Sequence, residues 1–133
     1  MADRVLLIED DPRLAEMISE YLGEAGFHVD RAANGSEGLT RQERESFDVL
    51  ILDLMLPDGS GLELAREIRQ SPASASIPIL LVTARSKETY LRSYRFSSQD
   101  DYLPKPFSVR ELLRRLQAQV KVQDSRPQQK ELM

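Results

Sequence analysis

Four places in the chain carry side chains that could do chemistry together. Residues 8–12 read IEDDP, so Glu9, Asp10 and Asp11 stand side by side directly after the apolar run VLLI. Asp53 follows a second apolar run, VLIL, and Thr83 follows a third, ILLV. Lys105 lies between two prolines just after DDYL. Adjacent carboxylates repel one another, and a hard divalent cation with oxygen ligands relieves that; Mg²⁺ is the usual choice, keeping several waters and binding phosphate. A lysine is drawn to the same cluster and can neutralise a phosphoryl oxygen as a point charge. A threonine hydroxyl can donate to another. That inventory fits a carboxylate nucleophile receiving a phosphoryl group, with cation and lysine holding the charge.

Each residue alone has a plainer reading. An acidic triplet is more often a solvated loop, Asp11 is explained by capping a helix, and Lys105 could be one more surface lysine. The set gains weight only if the fold brings it together, so the elements that carry it matter.

The three apolar runs, Val5 to Ile8, Val49 to Leu52 and Ile79 to Val82, are continuous and rich in branched residues. That is how a strand buried on both faces of a parallel sheet reads. Between them lie helical patterns. Leu14, Met17, Ile18, Tyr21 and Leu22 follow i, i+3, i+4, i+7, i+8, with Asp11 as N-cap, Pro12 in the first turn and Gly26 as the stop. FHVDRA predicts a weaker strand and SEGLTRQERES a polar, exposed second helix. Leu62, Leu64, Ala65 and Ile68 mark a third helix, DDYL a short strand. Leu112, Leu113, Leu116 and Val120 form the stripe of a final helix from about Ser108. Five strand–helix repeats predict a doubly wound α/β fold with helices on both faces of a parallel sheet. In such sheets ligands bind beyond the carboxyl ends of the strands, where all the residues above would face one edge.

Composition narrows the classes further. The 133 residues suit one domain. A net charge of −4 from 18 basic and 22 acidic residues argues against direct nucleic-acid binding by this chain. With no cysteine and one histidine, His28, thiolate and multi-histidine metal sites are excluded. No apolar run approaches a membrane span, and MADRVLLIEDD is too short and acidic for a signal peptide, so a cytoplasmic protein without a membrane role is expected.

The segments VLLIEDDPRLAEMI, FDVLILDLMLPDGSGLEL, IPILLVTAR and DDYLPKPFSVRELL resemble the receiver domains of two-component response regulators, the CheY-like family. DLMLPDGSG and DYLPKPFS followed by REL are most similar to the OmpR/PhoB branch. The resemblance runs from residue 4 to about 121. It implies a flavodoxin-like (βα)5 three-layer sandwich with strand order 2-1-3-4-5. Residues 1–122 read as the receiver domain; after Val122 the chain, QDSRPQQKELM, turns polar and loses its periodicity, so 123–133 reads as a flexible tail or linker stub.

Position by position, the resemblance implies Asp53 as phospho-acceptor and Asp10 as a Mg²⁺ ligand beside the acidic Glu9, with Asp53 and the backbone carbonyl of Met55 completing the protein's share. Thr83 becomes the switch hydroxyl and Tyr102 the switch aromatic. Lys105 contacts the phosphoryl group, and the Lys105–Pro106 bond is expected cis, which costs far less before proline than elsewhere. The implied donor is a sensor histidine kinase or phosphotransfer protein, and the implied output is control of transcription through a face made of the fourth helix, fifth strand and fifth helix. Asp100, Asp101, Glu111 and Arg115 match the charged positions of that face, through which the branch forms homodimers.

One stretch departs from the family. Residues 89–99, TYLRSYRFSSQ, lack the usual apolar stripe and put Ser98-Gln99 where a Gly-Ala pair is expected, so an altered fourth helix is anticipated. Rival readings follow. A receiver fold that no longer switches would be a constitutive interaction module. A single-domain regulator would act through protein partners. A Mg²⁺-dependent phosphohydrolase would want a second Asp two residues after Asp53, where Met55 stands. A flavin phosphate would meet Glu9 and Asp10 instead of hydroxyls.

Overall fold

The computed structural model describes residues 3–56, 61–72, 74–84, 92, 94 and 98–124. In chain order its elements are β1 (Arg4–Ile8), α1 (Pro12–Glu24), β2 (His28–Ala32), α2 (Gly35–Arg44), β3 (Val49–Asp53), α3 (Gly61–Gln70), β4 (Ile79–Ala84), β5 (Asp100–Lys105) and α4 (Val109–Asp124). The stretch expected as an altered fourth helix lies outside the described residues except for Arg92, Tyr94, Ser98 and Gln99. The C-terminal helix is therefore α4 here.

All five strands pair in parallel in the order β2-β1-β3-β4-β5, the flavodoxin-like order. The period of two along each strand divides the continuous apolar runs between two cores. Leu6, Ile8, Leu50, Leu52, Ile79 and Leu81 point to one face and pack with Leu62, Leu64, Ala65 and Ile68 of α3. Val5, Leu7, Val49, Ile51, Leu80 and Val82 point to the other and pack with Ala15, Ile18 and Leu22 of α1 and Leu112, Leu116 and Val120 of α4. Two buried faces explain why these strands do not alternate apolar with polar. Each fully buried leucine holds about 2–5 kcal/mol against truncation to alanine.

Helix starts follow local chemistry. Asp11 caps α1, accepting from the N–H groups of Arg13 at 3.0 Å and Leu14 at 3.4 Å, with Pro12 in the first turn. Asn34 caps α2 by accepting from Glu37 N–H at 2.8 Å. Ser108 accepts from Glu111 N–H at 3.0 Å at the start of α4. Gly26, with φ +101°, takes the left-handed conformation that ends α1.

Three expectations need correction. Met17 is not on the buried face of α1 but 49% exposed at its rim, while Ala15 is buried instead. The second helix is not exposed all round: Gly38 and Gln42 are buried, and Gly38 lets α2 close on Ile8, whose side chain a Cβ there would meet at 2.7 Å. The fifth strand runs past Leu103 to Lys105 with Pro104 inside it, which its edge position permits. At Gly61, the first residue of α3, a Cβ would lie 2.5 Å from Leu54 Cα and 2.9 Å from Asp53 O, so the end of β3 and the start of α3 touch backbone to backbone.

Candidate functional site

Strand order reverses at β1, which has β2 on one side and β3 on the other. The crevice beyond the carboxyl ends of β1 and β3 is the topological switch point. The ladder sets what reaches it: Ile8 pairs with Leu52 and Asp53 with Val82, so Glu9, Asp53 and Thr83 emerge at neighbouring strand ends. Lys105 pairs with Ala84 at the end of β5.

Glu9, Asp10 and Asp53 each offer a carboxylate oxygen within 4.8 Å of the others, Glu9 and Asp53 buried and Asp10 exposed. Lys105 Nζ lies 3.2 Å from Asp53 Oδ2 and 4.0 Å from Glu9 Oε1. Asp53 Oδ1 accepts from Met55 N–H at 2.9 Å, and Glu9 Oε2 accepts from Asp11 N–H at 3.1 Å. Burial pushes the Glu9 carboxyl up to about 7, and the Asp53 carboxylate adds to it; the Asp11 N–H and Lys105 pull the other way. Among the described residues, the three carboxylates of this cluster face the single ammonium of Lys105. This all-oxygen donor set with surplus negative charge fits a hard divalent cation.

Thr83 is fully buried, and its hydroxyl donates to Ala84 O across a long 3.4 Å. Tyr102 is half-buried against the α3-side core. The Lys105–Pro106 peptide bond is cis. Beside Lys105, the side chains of Leu14, Pro106 and Phe107 line an open cleft of about 420 Å³.

The four charges expected on a dimer face divide. Asp101, Glu111 and Arg115 form one partly exposed network: Arg115 Nη1 donates to Asp101 Oδ1 at 3.1 Å, and Arg115 Nε to Glu111 Oε2 at 3.0 Å. Asp100 is turned inward, its side chain fully covered, bonded by Arg69 of α3 and by Tyr94 Oη at 3.1 Å. A carboxylate held there is not an exposed interface charge. His28, given no role, stands at the opposite edge of the sheet, at the start of β2.

Two participants escaped the sequence reading. Arg69 also donates to Ser74 O, Ala75 O and Ile77 O, binding α3 to the loop before β4. Arg31, next to last in β2, donates from Nε to Glu9 O and from Nη2 to Asp10 O, both at 3.0 Å. Its only mark in the sequence is a cation one residue short of the end of a predicted edge strand.

Comparison with known proteins agrees with this geometry. Residues 5–117 match the family model described as the response regulator receiver domain. The transcriptional activator protein PfeR of Pseudomonas aeruginosa is 43% identical over 109 residues, 82% of this chain and 35% of PfeR. The phosphate regulon transcriptional regulatory protein PhoB of Rhizobium meliloti is 37% identical over 121 residues, 91% of this chain and 53% of PhoB. The chain therefore spans between about a third and about half of these relatives' lengths. Among solved structures, the receiver domain of sensor histidine kinase PA1611 from Pseudomonas aeruginosa PAO1, with a magnesium ion coordinated in its active site cleft, superposes with a TM-score of 0.80. It is 30% identical, over 91% of this chain and 99% of that one. Strand order, clustered acids and sequence similarity converge, and the chain belongs to the response regulator receiver domain family, with relatives of the PhoB type.

Proposed function

We propose that the chain accepts a phosphoryl group on Asp53 from a phosphohistidine of a sensor kinase or phosphotransfer protein in the cytoplasm. The observation that carries this is the convergence of Glu9, Asp10 and Asp53 within 4.8 Å, with Lys105 3.2 Å from Asp53. Asp10, Asp53, Glu9 and the backbone carbonyl of Met55 are the groups that would hold Mg²⁺. When bound, Mg²⁺ supplies the positive charge that lets carboxylates and phosphoryl oxygens share one site.

The chain's own residues do the rest. An Asp53 carboxylate oxygen forms the new O–P bond as the P–N bond to the donor imidazole breaks, and the imidazole leaves with the bonding pair. Lys105 holds charge on the phosphoryl oxygens. The cleft lined by Leu14, Pro106 and Phe107 gives the donor protein an apolar surface beside the acceptor. Thr83 exchanges its long bond to Ala84 O for a phosphoryl oxygen, and Tyr102 follows into the space this opens. The face of β5 and α4 changes only through contacts that differ between the two states. Water later cleaves the acyl phosphate and releases inorganic phosphate, so the domain resets itself without being a conventional enzyme. The output is control of transcription, the role named in its relatives, with homodimerisation through the β5–α4 face as the means.

Intact mass after incubation with acetyl phosphate and Mg²⁺ tests the reading. A single phosphoryl adduct on the wild type and none on Asp53→Asn is expected. No adduct on folded wild type would replace it with a constitutive interaction module.

A further inference from the structure

We infer that Arg31 is a positioning residue that sets the cation affinity of the acidic site. This rests on the phospho-acceptor reading and deepens it. Strand β1 ends at Ile8, paired with Ala32, and the ladder gives one bond more, from Glu9 N–H to Ala32 O at 3.0 Å. There the backbone of β2 leaves. Ala33 N–H donates to Glu37 Oε1 at 2.9 Å, and Asn34 turns to cap α2. No described backbone N–H bonds Glu9 O or Asp10 O. Arg31 takes that place with its side chain, Nε on the first carbonyl and Nη2 on the second, each 3.0 Å away.

The guanidinium is a rigid planar fork. Gripping two successive carbonyls, it fixes the orientation of both peptide units that carry the acidic pair. The Asp11 N–H on Glu9 Oε2 then holds one side chain of the pair from within the same loop. The loop is thus set from outside by Arg31 and from inside by its own backbone. Its carbonyls are engaged, and its carboxylates are left to serve the site. Groups that orient metal ligands in this way typically govern affinity by tenfold or more.

The sign of the effect separates this role from a simpler one. Arg31 is itself a cation near a cation site. If it acted through charge, its removal would tighten Mg²⁺ binding. If it only supported the fold, its removal would lower the melting temperature and leave affinity alone. As a positioning group, its removal weakens binding despite relieving repulsion.

Isothermal titration of Mg²⁺ into the wild type, Arg31→Met, Arg31→Lys and Asp10→Ala decides, with melting curves of each protein without metal. Arg31→Met should weaken Mg²⁺ binding about tenfold at a temperature where it is folded. Arg31→Lys keeps the charge but replaces the rigid two-nitrogen fork with one ammonium nitrogen on a flexible stem, so it should weaken binding as well; it also decides the case if Arg31→Met does not fold. Affinity in either variant equal to or above wild type overturns the inference and leaves the acceptor reading intact. Failure of wild type to bind, or binding that survives Asp10→Ala, overturns the acidic site itself and the inference with it.

Discussion

Lys105 Nζ stands 3.2 Å from Asp53 Oδ2 although 52 residues separate them, because β5 and β3 both run parallel to β4 and end at the same edge of the sheet. The ammonium faces the oxygen that would carry or flank a phosphoryl group under the proposed function, where charge would build during transfer. Lys105→Met should leave the fold intact and slow phosphorylation by acetyl phosphate about a hundredfold, the scale seen when one well-placed donor is removed from a reacting site. Time-resolved intact mass would read this. A rate within threefold of wild type would deny Lys105 its role.

For Thr83 the proposed function predicts a different failure. Its hydroxyl makes only a 3.4 Å bond, so Thr83→Ala should cost under about 1 kcal/mol of stability by urea unfolding. Asp53 should still accept the phosphoryl group. Sedimentation with beryllofluoride and Mg²⁺ should then show dimers for wild type and monomers for the variant. Dimers of both would separate Thr83 from the switch.

Neighbouring aspartates in β5 should behave in opposite ways. Asp100→Ala would leave Arg69, itself only 15% exposed at its side chain, without its carboxylate inside the protein. The expected loss is about 3 kcal/mol. Asp101→Ala breaks a pair with Arg115 whose side chains are each 36% exposed, and should cost under about 1 kcal/mol. Urea midpoints of the two variants check the contrast; equal losses would contradict the inward placement of Asp100.

Acid sensitivity should have an identifiable contributor at the end of α2, beside the start of β1. Hydrogen bonds from Arg41 and then Arg4 hold the Glu45 carboxyl down to about 2, from an ordinary value of 4.5. A carboxyl lowered on folding favours the folded state above its unfolded value, and that contribution fades as pH falls from 4.5 toward 2. Glu45→Gln should therefore reduce the melting temperature near neutral pH and converge with wild type at the acid end. Melting curves across that range that stay parallel would refute it.

What could be read in advance follows from how locally each feature is encoded. The runs VLLI, VLIL and ILLV carry their own evidence of double-sided burial, and Asp11-Pro12 its own helix start. The clustering of Glu9, Asp53, Thr83 and Lys105 was legible because the first three directly follow such runs and Lys105 ends a strand. Asp100 was misplaced because its environment depends on Arg69, 31 positions away, and on Tyr94. The buried side of α2 was missed because a glycine and a glutamine make it, and neither registers as apolar. Arg31 gave no periodic signal at all, since its partners are backbone oxygens that any loop sequence would supply.

The close approach at Gly61 has a bearing on tolerance to variation. A single methyl group there would press on Leu54 Cα and on the carbonyl of Asp53. The obstacle is main chain, which cannot swing aside as a side chain can, so the end of β3 would have to give way. In a survey of every substitution along the chain, position 61 would then score with the acidic cluster, losing function even to alanine, although it carries no reactive atom. A map built on function alone would draw the site one residue too large, and only comparison with folding would show that this residue sets the position of Asp53 without contributing a group of its own.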